Sequence, residues 1–281
     1  MELLDGKLVS KQIKEELKIE VEGLVAKFGV APTLAIVLVG NVEASQIYVR
    51  NKLKAAKLTG INTNLVTLPD TITTEELLKV VNELNADEAI DGIIVQLPLP
   101  KQVDEAAVIN AIQTDKDVDG FGISNKGRLF CGMDAVKSAT PFGIMKLLEA
   151  YHIDLTGKSA VVVGRSNIVG KPMAMMLLQE NATVTICHSR TKDLGSVTRG
   201  ADVLVVAIGK AKFIKADMVK DSAVVVDVGM NRDESGLCGD VDFENVAPKC
   251  SYITPVPGGV GPLTIAMLLY NTVSAFKKRH A

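Results

Sequence analysis

The sequence has 281 residues, 47% hydrophobic and 23% charged, the make-up of a globular chain with room for one large α/β domain or two of ordinary size. Its 31 Lys and Arg against 33 Asp and Glu, with no basic block interleaved with aromatics, argue against nucleic acid or a membrane surface as the main partner. Four cysteines without C-x-x-C spacing and only three histidines give no material for a zinc cluster and fit reduced thiols in a cytoplasmic protein.

In chain order, MELLDGKLVSKQIKEELK reads as an amphipathic charged helix without the apolar core and cleavage site of a signal peptide, and no 18-residue apolar run follows. TLAIVLVG (33–40), NLVTLP (64–69) and DGIIVQLP (91–98) read as strands, separated by a helical stretch through Ala56 and a helix near 74–86. In the first of these helices, SQIYVRNK places Tyr48 four residues before Lys52, on one helical face. A segment rich in Gly, Asp and Asn follows, DKDVDGFGISNKGRLF (115–130), and then ATPFGIMKLLEAYHI, where Pro141 suits a first helical turn. The run DKDVD lacks EF-hand spacing, and no metal site is expected.

A second series begins with SAVVVG (159–164), a helix over 169–180, ATVTIC (182–187), DVLVVAIG (202–209), AVVVDVG (223–229) and YITPV (252–256). The alternation implies an α/β protein with parallel strands and crossover helices, in two domains divided near 138–142. A last helix runs from Pro262 to about 279.

VVVGRSNIVGKP turns at Gly164 and enters a helix near Gly170, which aims backbone N–H groups at a diphosphate. Arg165 and Ser166 occupy the middle of what is not a G-x-G-x-x-G, and alone it reads equally as a packed strand-to-helix turn. The next strand ends in His188, Ser189, Arg190 and Thr191, with no acid before Asp193. An NAD site normally has a carboxylate there, whereas a hydroxyl with Arg190 and Arg165 suits a 2′-phosphate, so NADP is predicted over NAD. Asp227 and Gly229 lie at another strand end, and Met230 is a candidate for the nicotinamide side of the pocket.

Tyr-x-x-x-Lys also occurs in short-chain dehydrogenases, but there it follows the nucleotide turn; here it precedes Gly164 by more than a hundred residues. Taken together, SQIYVRNK, DGIIVQLPLP, KDVDGF, TPFGI, GRSNIVGKP and PVPGGVGPLT closely resemble the bifunctional methylenetetrahydrofolate dehydrogenase/methenyltetrahydrofolate cyclohydrolase (FolD) family, in the family's order over 45–264. A shikimate-type NADP dehydrogenase accounts for the Rossmann half but not for QLPLP with KDVDG. A noncatalytic NADP- or folate-binding regulator is disfavoured by the joint presence of Tyr48, Lys52, Gln96 and Asp119.

The resemblance implies a folate-binding catalytic domain over 1–140, to which a C-terminal helix (262–281) returns, and a Rossmann NADP-binding domain over 141–261. It implies folate in the cleft between them, a homodimer joined mainly through the Rossmann domains, and a role in one-carbon metabolism and purine biosynthesis. It makes Lys52 the catalytic lysine, Gln96 its partner, Tyr48 a wall stacked on the folate and Asp119 the carboxylate that holds the pterin's amino edge. Leu97, Pro257, Gly258 and Gly259 are the further substrate contacts it implies, and Gly164, Arg165, Ser166, Ile168, Ser189, Arg190 and Met230 the cofactor contacts. Leu263 stands where family members commonly have Met, an apolar swap of similar volume.

Overall fold

The computed structural model describes residues 1–234 and 236–280. The chain opens with β1 (Glu2–Leu3) and α1 (Gly6–Phe28), then alternates β2 (Thr33–Val39), α2 (Glu43–Thr59), β3 (Asn62–Leu68), α3 (Thr74–Ala86) and β4 (Gly92–Val95). Two short helices, α4 (Glu105–Ala111) and α5 (Ile123–Phe130), precede α6 (Ala139–Ala150). The second series is β5 (Ser159–Val163), α7 (Gly170–Gln179), β6 (Thr183–Cys187), α8 (Leu194–Thr198), β7 (Val203–Val206) and β8 (Val224–Asp227). A hairpin of β9 (Asn231–Asp233) and β10 (Gly236–Cys238), α9 (Phe243–Val246), β11 (Tyr252–Ile253) and α10 (Val260–Arg279) complete it.

Two compact units result, one of Lys11–Ala139 with Ile265–Ala281 and one of Met1–Ser10 with Thr140–Thr264. In the first, a parallel sheet of order β3-β2-β4 has β2 at its centre. The continuous apolar run of β2 is explained by burial on both faces. Leu34, Ile36 and Leu38 pack with Ala56, Leu268 and Val273, while Ala35, Val37 and Val39 pack with Leu77 and Val81. The ends of the flanking helices are marked locally. Gly60, at φ 78°, closes α2, and Thr73 with Glu76 forms a capping box on α3.

The second unit is a six-stranded parallel sheet of order β1-β11-β8-β7-β5-β6, the doubly wound arrangement of a dinucleotide-binding domain. Its core joins Val161, Val163, Leu204, Val206, Val225 and Ile253. The first ten residues differ from expectation. The charged pattern read as helix from Met1 instead begins with β1, because Glu2 N–H donates to Ser251 O (2.8 Å) and Leu4 N–H to Ile253 O (2.9 Å), with Leu4 fully buried. Met1–Ser10 therefore belongs to the six-stranded unit rather than to the unit formed by the first series. Val260–Thr264, at the start of the last helix, is grouped with that unit too. Among the described residues, no helix is long and apolar enough to cross a membrane.

Candidate active site and cofactor site

In the three-stranded unit, α2 turns a stripe inward that comprises Ser45, Val49, Lys52, Ala56 and Thr59. Lys52 thus falls on the buried face by helical spacing, at 9% exposure, whereas Tyr48, one turn earlier, keeps 41%. The β4 strand continues into Gln96, whose N–H donates to Val37 O at 2.8 Å. Lys52 Nζ donates to Gln96 Oε1 at 3.0 Å, and Gln96 Nε2 donates to Leu97 O at 2.7 Å. Leu97 is half-buried and precedes a cis proline, Pro98.

Asp119 stands on the loop between α4 and α5. Burial raises its carboxyl above the ordinary range, opposed by the charge of Lys52 and reinforced by that of Asp117. Burial lowers Lys52 below the usual lysine value, and the Asp119 charge partly restores it. A buried lysine and a half-buried carboxylate thus act on one another through space, and the lysine is biased toward its neutral form.

The sequence left open whether Asp119 merely makes an Asx-type turn. In the structure the loop is tied instead by Asp117, whose carboxylate reaches four and five residues on, accepting from Phe121 N–H (3.2 Å) and Gly122 N–H (2.8 Å), and also from Asn125 Nδ2 (2.9 Å). Asn271, on α10, holds the same loop by donating to Val118 O (2.8 Å) and Lys137 O (3.0 Å). Among the described residues, no hydrogen bond engages the Asp119 carboxylate, which leaves its acceptors for a ligand. Nothing in a linear reading separates Asp117 from Asp119 two positions on, and Asn271 meets this loop only across a sequence separation of 153 residues.

In the six-stranded unit, Gly164 directly follows β5 at φ 137°, and a Cβ there would lie 2.4 Å from Ala207 O. A Cβ on Gly170 would lie 2.3 Å from Gly164 O, so both glycines are required for the turn to close on the helix. Ser166 Oγ accepts from Val169 N–H (3.1 Å) and Gly170 N–H (3.2 Å), which caps α7 and leaves the hydroxyl proton to donate outward. Arg165 and Ser166 are exposed, and Ile168 keeps 37% exposure beside them.

At the end of β6, Ser189 and Arg190 are exposed, and Arg190 N–H donates to His188 Nδ1 at 3.1 Å. The first acid beyond them, Asp193, is engaged in capping α8 by accepting from Ser196 N–H. Among the described residues, neither Arg165 nor Arg190 enters an ion pair. Two exposed guanidiniums, a serine hydroxyl and no competing carboxylate fit a dinucleotide with a 2′-phosphate.

Met230 is 52% exposed just after β8. Asp227 is not ligand-facing: it is 3% exposed and accepts from Gly229, Asp240 and Val241 N–H groups. Pro257 is exposed, while Gly258 (φ 110°) and Gly259 are buried against the start of α1. There Lys7 N–H donates to Gly258 O at 3.0 Å, and a Cβ on Gly6 would fall 1.7 Å from Gly259 O. The need for glycine at position 6 lies in a contact across the chain, with no sequence signal. Among the described residues, no group of His, Cys, Asp and Glu is placed to hold a metal ion.

Two family models match: the tetrahydrofolate dehydrogenase/cyclohydrolase catalytic domain over residues 4–119, and the corresponding NAD(P)-binding domain over 138–280. The bifunctional protein FolD of Campylobacter hominis is 55% identical over 280 residues, covering 99% of this chain and 98% of that protein. The crystal structure of the bifunctional FolD methylenetetrahydrofolate dehydrogenase/cyclohydrolase from Campylobacter jejuni superposes with a TM-score of 0.98 at 53% identity, covering 99% of each chain. The Trypanosoma brucei methylenetetrahydrofolate dehydrogenase-cyclohydrolase, solved with NADP cofactor and inhibitor, gives 0.93 at 39% identity, covering 98% of this chain and 96% of that one. With both domain models matched in order on a three-stranded lysine-bearing unit and a Rossmann-type unit, the chain belongs to the tetrahydrofolate dehydrogenase/cyclohydrolase (FolD) family.

Proposed function

We propose that this protein oxidises 5,10-methylenetetrahydrofolate to the 5,10-methenyl cation with NADP⁺ and hydrolyses that cation to 10-formyltetrahydrofolate. The observation that carries the reading is the buried Lys52, held by Gln96 and poised by burial against the charge of Asp119.

Asp119, whose carboxylate has no hydrogen bond among the described residues, takes the donor edge of the pterin, and Tyr48 stacks on the flat heterocycle. Leu97, Pro257, Gly258 and Gly259 complete the folate contacts. NADP⁺, when bound, supplies the nicotinamide C4 that takes a hydride from the methylene carbon. The Gly164–Ser166 turn and Ile168 hold the dinucleotide, Arg165, Ser189 and Arg190 receive its 2′-phosphate, and Met230 flanks its nicotinamide. Oxidation needs no protein base, because the folate nitrogens stabilise the cation; the side chains chiefly orient. In the hydrolysis, neutral Lys52 takes a proton from the water that adds to the methenyl carbon. Lys52 returns that proton to the folate nitrogen that leaves, the hydroxyl on the one-carbon unit gives its own proton to solvent as its C=O forms, and the C–N bond breaks to leave the formyl group on the other nitrogen.

The residues 1–140 with 262–281 are read as the folate-binding catalytic part and 141–261 as the NADP-binding part, with the first ten residues and the first turn of the last helix excepted. A cytoplasmic homodimer joined through the Rossmann units is part of this reading, with the formyl product feeding purine biosynthesis. The exposed edge strand β6, with Thr183, Thr185 and Ile186 at the surface, supports the dimer. Following methylenetetrahydrofolate and NADP⁺ spectrophotometrically through methenyl formation to the formyl product tests the activity. Absence of either step from the purified chain would refute it.

A further inference from the structure

One fully buried carboxylate gathers the loops at the carboxyl ends of β7 and β8. Asp240 has no exposure, and its oxygens accept from Ile208 N–H (2.7 Å), Gly209 N–H (3.0 Å), Lys210 N–H (2.7 Å) and Asn231 Nδ2 (2.9 Å). Asp240 is fixed in turn by Asp227 at the end of β8. Asp240 N–H donates to Asp227 Oδ1 (2.9 Å), and Val241 N–H to Asp227 Oδ2 (2.8 Å). The surroundings admit no slack, since a Cβ on Gly229 would lie 2.4 Å from the Asp240 carboxyl, and one on Gly239 1.8 Å from Asp227 Oδ2.

Parallel sheets bind ligands beyond the carboxyl ends of their strands. With the 2′-phosphate loop at the end of β6 and the diphosphate turn at the end of β5, the order β8-β7-β5-β6 directs the other half of a dinucleotide over β7 and β8. Successive N–H groups converging on one acceptor form an anion nest. Here Asp240 fills that nest, so the Ile208–Lys210 loop offers no rival phosphate site and is held in one conformation. The same carboxylate anchors Asn231, directly after Met230.

We propose that Asp240 is a positioning residue for the nicotinamide half of the cofactor, acting through the Ile208–Lys210 loop and the Met230–Asn231 segment. The proposal rests on the NADP-dependent reading above. In an Asp240→Asn variant the amide NH₂ must oppose at least one fixed backbone N–H, because each oxygen of the carboxylate accepts from at least one.

Calorimetric titration of the full-length protein with NADP⁺ and with 2′,5′-ADP, which lacks the nicotinamide half, tests it. Asp240→Asn should weaken NADP⁺ binding about tenfold, the scale of one charge-assisted hydrogen bond, and leave 2′,5′-ADP within about twofold. Asn231→Ala, which removes one donor and keeps the carboxylate, should do the same more mildly and decides the matter if Asp240→Asn does not fold. Unchanged NADP⁺ affinity in a folded variant, or equal weakening of both ligands, overturns the proposal. A wild-type chain that binds neither ligand sinks the functional reading itself, whereas normal wild-type binding with unaffected variants sinks only the role of Asp240.

Discussion

Lys52 Nζ donates to Gln96 Oε1 at 3.0 Å, and the other end of that amide donates to Leu97 O at 2.7 Å. A lysine only donates and a backbone carbonyl only accepts, so the two neighbours dictate which way the amide faces. The hydrogen bond survives deprotonation, since a neutral amine still has N–H to give. The lone pair that appears on deprotonation takes another tetrahedral position of Nζ, off the bond to Gln96. Gln96 therefore orients the lysine without competing for its basicity.

Replacing Lys52 by Met keeps the apolar stem and removes only the amino group proposed to transfer the proton. Cyclohydrolase turnover should fall by roughly 10²–10⁴-fold, the usual contribution of general acid–base catalysis, while hydride transfer stays measurable. Separate assays of methenyl formation with NADP⁺ and of methenyl hydrolysis distinguish the two. Parallel loss of both activities in a variant that still binds folate would contradict the role given to Lys52.

The pH profile of cyclohydrolase kcat/KM should rise along a limb that lies below the ordinary lysine range. Lys52 acts as a base only when neutral, and burial lowers its pKa. Asp119 is the group that raises it again. Asp119→Asn removes that charge, so the limb should move to still lower pH, whatever happens to its height. A limb that stays in place or moves upward would mean that another group titrates.

How much of this was legible in sequence depended on the range of the interaction. The buried runs of β2, β4, β5, β7 and β8 declare themselves, because a strand covered on both faces has no polar alternation. The Tyr48–Lys52 face follows from helix period alone, and Gln96 stood out as an amide at the end of an apolar strand. The two-residue β1 was hidden because so short a strand has no periodicity and its partner lies some 250 residues away. Asp227 was placed at a ligand-binding strand end but proved to be an internal tie to a loop 13 residues on. Asp240 and Gly6 carry no local signal, since what defines them is which backbone atoms converge on them.

Cofactor choice should depend on Arg190 and Arg165. Both are exposed, and the nearest acid, Asp193, is held by the start of α8. Loss of one charge-assisted contact to a 2′-phosphate is worth roughly 1.5–3 kcal/mol, or about tenfold or more. Arg190→Ala should lower kcat/KM for NADP⁺ by that factor and leave the value for NAD⁺ nearly unchanged. An unaltered ratio of the two would place the 2′-phosphate elsewhere.

Gly6→Ala should disturb the Pro257–Gly259 loop from a distance in sequence. The added Cβ falls 1.7 Å from Gly259 O, backbone against backbone, so no side-chain rotation relieves it. Overpacking of this kind costs about 3 kcal/mol at the upper end of the usual range, or roughly 6–12 °C in the melting temperature of a unit this size. A lower Tm together with a raised KM for methylenetetrahydrofolate is expected. A Tm within a degree of wild type would show that the loop moves freely.

Asp227 should write a pH dependence into stability with the opposite sign to that of most carboxylates. Burial lifts its folded-state value to about 6, against the pull of three backbone N–H donors, from an ordinary value of 3.8. The folded protein thus holds that proton more tightly than the unfolded chain does. The contribution of this group is most favourable below about pH 4, declines as pH rises toward 6 and is flat above. The change is on the order of 3 kcal/mol from the size of the shift. Asp227→Asn removes this titration and at the same time sets an amide NH₂ against N–H donors, so the variant should be less stable, and its deficit should shrink between pH 4 and pH 7. Urea unfolding of wild type and variant at several pH values measures the difference directly. A deficit that is constant with pH would show that folding leaves Asp227 in the normal carboxylate range, and one that grows as pH rises would show that its three N–H donors win and hold it below that range.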